Sequence, residues 1–327
     1  MQQVVVCRCH DPSPAAAQRL LLWASDCAAA NIDFTVSLDN TKAWNQTPME
    51  RRSRKRKHTM TSDKGCGTAH TLPPAVSPTH RLLRLFAQKK LKVRIHRYTE
   101  NDLLSHFPAL SSMQNYLMND KKVFEMVSGK CTLGWGFHVE ALCLWWNWMK
   151  GGKYDYVWVF EDDVGVTQSI ATLIRSYEND DSDLITGGAE TMPSEWFWKD
   201  VFSSNFDTTV GSHKIISKEH VQRFSKALLK RLRVLTMDLG VTAWSEAFTS
   251  TVAHNDDNLK MSQFKNENLG DPYKWDGRIQ KEEWDTIKRQ EEVEEGEEVE
   301  KGEEVEEAED VKFAKVKQPK LYHALKF

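Results

Sequence analysis

Residues 154–166 read YDYVWVFEDDVGV, an unbroken apolar run that ends directly in three carboxylates, Glu161, Asp162 and Asp163. A half-buried strand alternates, so a strand apolar at every position is one that helices cover on both faces. The run therefore predicts the central strand of an α/β sheet. Three adjacent carboxylates repel one another and are costly to group unless a cation or hydrogen-bond donors neutralise them. In open α/β sheets, ligands bind just beyond the carboxyl ends of the strands, which is where the triplet falls. A divalent ion with oxygen ligands, Mn²⁺ or Mg²⁺, completed by substrate phosphates, satisfies both conditions. The plainer alternative is that Asp162 or Asp163 caps a helix over DDVGVTQSIATLIRSY.

Working outward, VVVCRCHDPSPAAAQRLLLWASDCAAANIDFTVSLDNT has the rhythm of a strand, a helix and a second strand ending at Asp39, the start of a parallel sheet. Residues 51–80 then bring a basic cluster, RRSRKRK, and a Gly/Thr/Pro/Ser/His mixture that cannot bury a face. A helix near Arg81–Lys90, the strand LKVRIHRYT and a helix opened by the capping box at Thr99 and Asp102 follow. TLGWGFHVEALCLWWNWMK reads as a buried helix, DLITGGAE as a strand with a tight turn, and SHKIIS as a strand. KEHVQRFSKALLKRL reads as an amphipathic helix, and VTAWSEAFTSTV as a helix capped by Thr242. Glu291–Asp310 holds 13 acidic residues against one lysine, about −12 of a net charge of −3, so the remainder is about +9. The chain ends basic and apolar again in VKFAKVKQPKLYHALKF, which predicts a return to the folded body.

A strand ending in Glu-Asp-Asp behind a strand-helix-strand half resembles the DXD-type motif of GT-A fold glycosyltransferases. WGFHVEALCLWW followed by YDYVWVFEDDVG is similar, more closely, to a group of algal and protist proteins assigned to that fold. The resemblance spans roughly 35–50 through 250 plus LYHALKF and is densest over Gly134–Gly165. It implies a Rossmann-type α/β fold with a mixed, mainly parallel sheet flanked by helices, as one catalytic domain over 1–281. Two charged low-complexity insertions would interrupt it, a basic disordered one at 51–80 and an acidic loop at 282–310, before 311–327 rejoins the body.

The same resemblance implies transfer of a sugar from a nucleotide-diphosphate donor to a hydroxyl acceptor, with Mn²⁺ or Mg²⁺. Asp163 would then ligate the metal, joined by His323, and Glu161 and Asp162 would contact the donor. Arg8 and Asp39, at the ends of the first two strands, would hold the base and ribose; each also reads as an ordinary surface or turn residue. Glu246, in the first turn of its helix, either complements the helix dipole or deprotonates the acceptor hydroxyl in an inverting single displacement. His138 and Glu140 need partners if buried, or else they face the donor pocket. Trp196, Trp198 and Trp244 offer faces for a sugar, although aromatics beside turns also serve as lids on a core.

Cys7, Cys9 and His10 invite a zinc reading, but a structural zinc site wants four ligands, and no complementary CxxC or HxxxH exists. Strand alternation puts both cysteines on one core face instead. No nucleic-acid fold signature accompanies RRSRKRK, so no specific nucleic-acid partner is expected. The glycan, protein or lipid nature of the acceptor is open. Without a leader or a hydrophobic segment of spanning length, the sequence as written reads as cytoplasmic, or as a Golgi-lumenal protein if it is a fragment. A degenerate GT-A-like scaffold and a Mg²⁺-dependent phosphohydrolase or nucleotidyltransferase are the competing readings.

Overall fold

A computed structural model of the chain describes residues 1–41, 78–127, 132–150, 152–273, 278–300 and 318–325. Seven strands form one sheet: β1 (Gln3–Cys9), β2 (Asp33–Asp39), β3 (Arg94–Tyr98), β4 (Tyr156–Glu161), β6 (Leu184–Thr191), β7 (Ile215–Ser225) and β8 (Met261–Gln263). Their order is β3-β2-β1-β4-β7-β6-β8. β1, β2, β3 and β4 run parallel, and β7 lies antiparallel between β4 and β6, giving a mixed, mainly parallel sheet flanked by helices. Ser13 caps the first helix, Pro14–Ala29, through its hydroxyl, with proline in the first turn where a missing N–H costs nothing. Thr99 and Asp102 form the anticipated capping box.

Alternation along the strands sorts the core into two layers. Val4, Val6, Val157 and Val159 face one way, against the helices His138–Trp148, Lys226–Arg233 and Ser245–Asn255. Val5, Cys7, Cys9, Trp158 and Phe160 face the other way, against Pro14–Ala29 and Ile170–Arg175. Trp158 and Phe160 are fully buried, and burial of an apolar side chain of this size contributes roughly 3 kcal/mol each. β4 is thereby anchored from both sides, so its end is held in place. Among the described residues no helix is long and apolar enough to cross a membrane.

Four local expectations are corrected. Residues 218–225 continue β7 rather than opening a helix, which starts only at Lys226. Their charged side chains look solvent-facing in sequence, yet Arg223 is buried with its guanidinium donating to the carbonyls of Tyr177, Asp180 and Ser182. The triplet opens no helix: Ser169 caps Ile170–Arg175 instead. The buried helix begins at His138, preceded by one separate turn, Leu133–Gly136. A Cβ on Gly136 would lie 2.6 Å from the ring of Trp244, the residue before the helix Ser245–Asn255, so the turn comes this close to that ring only because position 136 has no side chain. Finally, the acidic tract is helical through Glu300, since glutamate is a good helix former and no proline interrupts it. The basic cluster and the acidic residues beyond Glu300 lie outside the described residues.

A second sheet sits beside the triplet, with β10 (Leu321–His323) between β5 (Gly165–Val166) and β9 (Leu269–Tyr273). β5 follows the triplet immediately, and Leu321 and Tyr322 pair antiparallel with Val166 and Gly165. The Leu325 amide donates to the Asp163 carbonyl at 2.7 Å. The end of the chain is thus stitched to the very turn that carries the carboxylates.

Candidate active site

The site forms at the carboxyl ends of β1 and β4, beside the middle of β7. Arg8 and Glu161 are register partners on β1 and β4, and the Arg8 Nη2 donates to Glu161 Oε1 at 2.9 Å. His220 Nδ1, from β7, lies 2.8 Å from Glu161 Oε2. His323 Nε2, brought in by β10, is 3.6 Å from that same oxygen and 3.4 Å from Asp163 Oδ1. The two imidazoles stack at 3.4 Å between centroids, 11° from parallel. Burial alone would raise the Glu161 pKa, but the Arg8 guanidinium and His220 hold it well below the usual carboxylate range. Burial lowers the His220 pKa despite Glu161, which favours the neutral imidazole that ligation requires.

Ligating atoms of Glu161, His220 and His323 lie within 4.8 Å of one another. His220 Nε2 is buried without a hydrogen-bond partner. An orphaned nitrogen beside carboxylates and a second imidazole fits a divalent ion. The triplet by itself offers only oxygen ligands and His323 was expected to add one imidazole; a second imidazole, His220, shifts the preference, so the set suits Mn²⁺ or another first-row ion better than Mg²⁺. Asp162 is fixed differently. The Arg19 Nε, from the first helix, donates to its carbonyl at 3.0 Å. Burial, then the neighbouring Asp163 and Glu161 charges, push its carboxyl up to about 7.

Across a cavity of about 500 Å³, Glu246 faces this cluster from the first turn of Ser245–Asn255. Its carboxyl is pushed up to about 7 by burial and by the Glu161 charge, while hydrogen bonds from the Trp244 and Trp196 side chains act the other way. Glu219 lines the same cavity, with its Oε2 at 3.2 Å from the buried His138 Nε2. Burial raises the Glu219 carboxyl and lowers the His138 imidazole, so the pair is held neutral.

Of the residues singled out in the sequence, Arg8, Asp39, Glu161, Asp162, Asp163, Glu246 and His323 all line this one cavity. Asp39 is already engaged: its Oδ1 accepts from the Thr41 amide at 2.7 Å and its Oδ2 from the Thr132 hydroxyl at 2.6 Å. Of the remaining candidates, Trp196 is half-buried and its side chain donates to Glu246, while the other four stand behind the cavity wall. Trp198 and Trp244 are buried and stacked at 3.7 Å, His138 is buried against Glu219, and Glu140 is fully enclosed. None of these four has a face to offer a sugar. His220 and Glu219 were missed because their segment reads as a helix; strand periodicity, continued from SHKIIS, was the available signal. Trp135, a further lining residue, sits inside the quoted GWGFH motif.

Glu140 accepts a hydrogen bond from the Thr242 hydroxyl, which therefore does not cap the helix after it. Burial pushes the Glu140 pKa up to about 8 from an ordinary 4.5. In the unfolded chain this carboxyl loses its proton from about pH 4.5, whereas the folded chain keeps it until about pH 8, so stability drains away as pH rises between the two. Glu140→Gln should match wild type at pH 4 and exceed it in stability by on the order of 3 kcal/mol at pH 8.5. Denaturant titrations at the two pH values measure this, and an equal difference at both would refute the assignment.

No family model matches the chain, and no curated protein matches it in sequence. Among solved structures it is similar to core-mannan synthase A from Aspergillus fumigatus in its Mn/GDP form, at 10% identity and a TM-score of 0.36, covering 81% of this chain and 73% of that one. Mouse xyloside xylosyltransferase 1, in its apo form, is similar at 10% identity and a TM-score of 0.36, over 86% of this chain and 88% of that one. Both likenesses are distant, and the chemistry below stands on the residues of the site.

Proposed function

We propose that this protein is a metal-dependent glycosyltransferase that moves a sugar from a nucleoside-diphosphate donor to a hydroxyl acceptor with inversion. One observation carries the reading: a single cavity gathers a carboxylate-imidazole cluster beside the carboxyl end of β4 and a half-buried glutamate, Glu246, whose carboxyl burial and the Glu161 charge push up to about 7. A phosphohydrolase would want a phosphate-gripping loop, and the sequence has no GxxxxGK motif.

Glu161, Asp163, His220 and His323 would hold the divalent ion, whose positive charge, when bound, stabilises the departing diphosphate. Arg8, 13% exposed and paired with Glu161, adds a fixed positive charge on the donor side. Glu246 takes the proton from the acceptor hydroxyl as its oxygen attacks the sugar's anomeric carbon from the face opposite the diphosphate. The bond to the diphosphate breaks with its electron pair leaving on that oxygen, so one displacement inverts the centre. The Trp196 and Trp244 side chains orient the carboxylate, and the apolar wall they belong to limits water at the reacting centre.

The test is Asp163→Ala. It should abolish the Mn²⁺-dependent rise in melting temperature on adding UDP or GDP, with the fold retained by circular dichroism. An undiminished metal-dependent shift in that variant would sink the reading.

A further inference from the structure

Trp135 is at once a lining residue of the cavity and 45% exposed, an uncommon state for the largest apolar side chain. It is not loose. Its ring meets the buried Trp244 edge-on at 5.5 Å and 71°. Trp244 in turn stacks on Trp198 at 3.7 Å, and Phe197 meets Trp198 edge-on at 4.6 Å. The result is a rigid wall of four rings whose two ends, Trp135 and Phe197, are open to solvent, the latter 39% exposed. The same wall orients Glu246 through the Trp244 side chain.

From this, and resting on the transferase reading above, we propose that the acceptor is a carbohydrate, bound with the apolar face of a sugar ring on Trp135 and its reacting hydroxyl at Glu246. A rigid, amphipathic ring presents apolar area at little entropic cost, which suits a ligand with C–H faces and polar edges. A lipid chain would want a continuous apolar trough. Here the exposed residues Ser194, Glu195, Lys199 and Asp200 flank Phe197, and the Lys199 ammonium is tied to the Ser194 carbonyl at 2.8 Å. Apolar patches that alternate with hydrogen-bonding groups match the surface of a glycan, not that of an acyl chain.

Saturation-transfer NMR on the full chain with Mn²⁺ and UDP or GDP tests this. The probes are methyl glycosides of glucose, galactose, mannose and xylose, set against a Ser/Thr-rich peptide and dolichyl phosphate in detergent. At least one glycoside should show transfer concentrated on its C–H face. Trp135→Ala should weaken it about tenfold or more, Trp135→Phe should largely restore it, and the Mn²⁺-dependent nucleotide shift should persist in both variants. Glycoside binding unchanged in Trp135→Ala, or binding of the peptide or dolichyl phosphate alone, overturns the proposal. Loss of nucleotide binding in the wild-type protein would instead remove the transferase reading beneath it, an outcome separable from the others.

Discussion

Glu246→Gln is expected to lower the rate of sugar transfer by about 10²- to 10⁴-fold, the usual contribution of a positioned general base. Gln is nearly isosteric and can still accept from the Trp196 and Trp244 side chains, so the fold and nucleotide binding should be retained. The loss then reports on proton transfer and not on structure. The pH profile gives the same residue a second signature. Burial, and then the Glu161 charge, hold the carboxyl at about 7, and only the ionised form accepts a proton. Activity should therefore rise with pH up to about 7 and level off above it, the limb belonging to a base that must be deprotonated. Trp196→Phe removes one of the donors that favour the ionised form and should move that inflection upward. A profile that stays flat through pH 7 in the wild-type protein, or an unaltered rate in Glu246→Gln, would show that Glu246 is not the base.

His323→Ala should weaken Mn²⁺ binding by at least about 100-fold, more than is typical for loss of a group that merely supports a ligand. His323 lies 160 residues beyond Asp163 in sequence, yet its Nε2 is 3.4 Å from Asp163 Oδ1. It is delivered by β10, which the amide of Leu325 and the pairing with β5 lock beside the triplet. The replacement removes a nearly buried imidazole from its stack on His220, so some loss of stability accompanies it. Calorimetric titration separates the two effects: metal affinity falls steeply while nucleotide affinity without metal does not change. Wild-type Mn²⁺ affinity in a folded His323→Ala protein would remove His323 from the ligand set.

The parts of this molecule that follow one local rule were legible in the sequence. YVWVF, apolar at every position and β-branched or aromatic throughout, reads as a doubly covered strand, and the structure makes it β4, whose carboxyl end carries the triplet at the edge of the cavity. The parts given to Asp163, His323 and Glu246 came from the resemblance and not from that placement, and the three side chains line one cavity. His220 was not legible. Lys218–Ser225 carries alternating charges that read as a helix surface, and only the tertiary pairing with β4 and β6, together with carbonyl partners for Arg223, makes a buried strand of it. The second side of the metal cluster was therefore hidden by a secondary-structure ambiguity that periodicity could not resolve. The tryptophans were hidden by another cause. Composition names an aromatic residue but not its exposure, so Trp198 and Trp244 looked as available as Trp196, although the packing encloses the first two and leaves Trp196 half-buried. Asp39 lines the cavity, with one acceptor position on each oxygen taken by the Thr41 amide and the Thr132 hydroxyl, contacts that sequence could not foretell.

The central claim is that two imidazoles and two carboxylates from three separate segments hold one divalent ion in the cavity that Glu246 lines. Pulsed electron paramagnetic resonance of the Mn²⁺-loaded protein with UDP or GDP examines that claim without depending on turnover. The account predicts one bound Mn²⁺ per chain with ¹⁴N couplings from His220 and His323, each lost with its own alanine substitution. A bound Mn²⁺ without nitrogen coupling, or no saturable Mn²⁺ site at all, would contradict it.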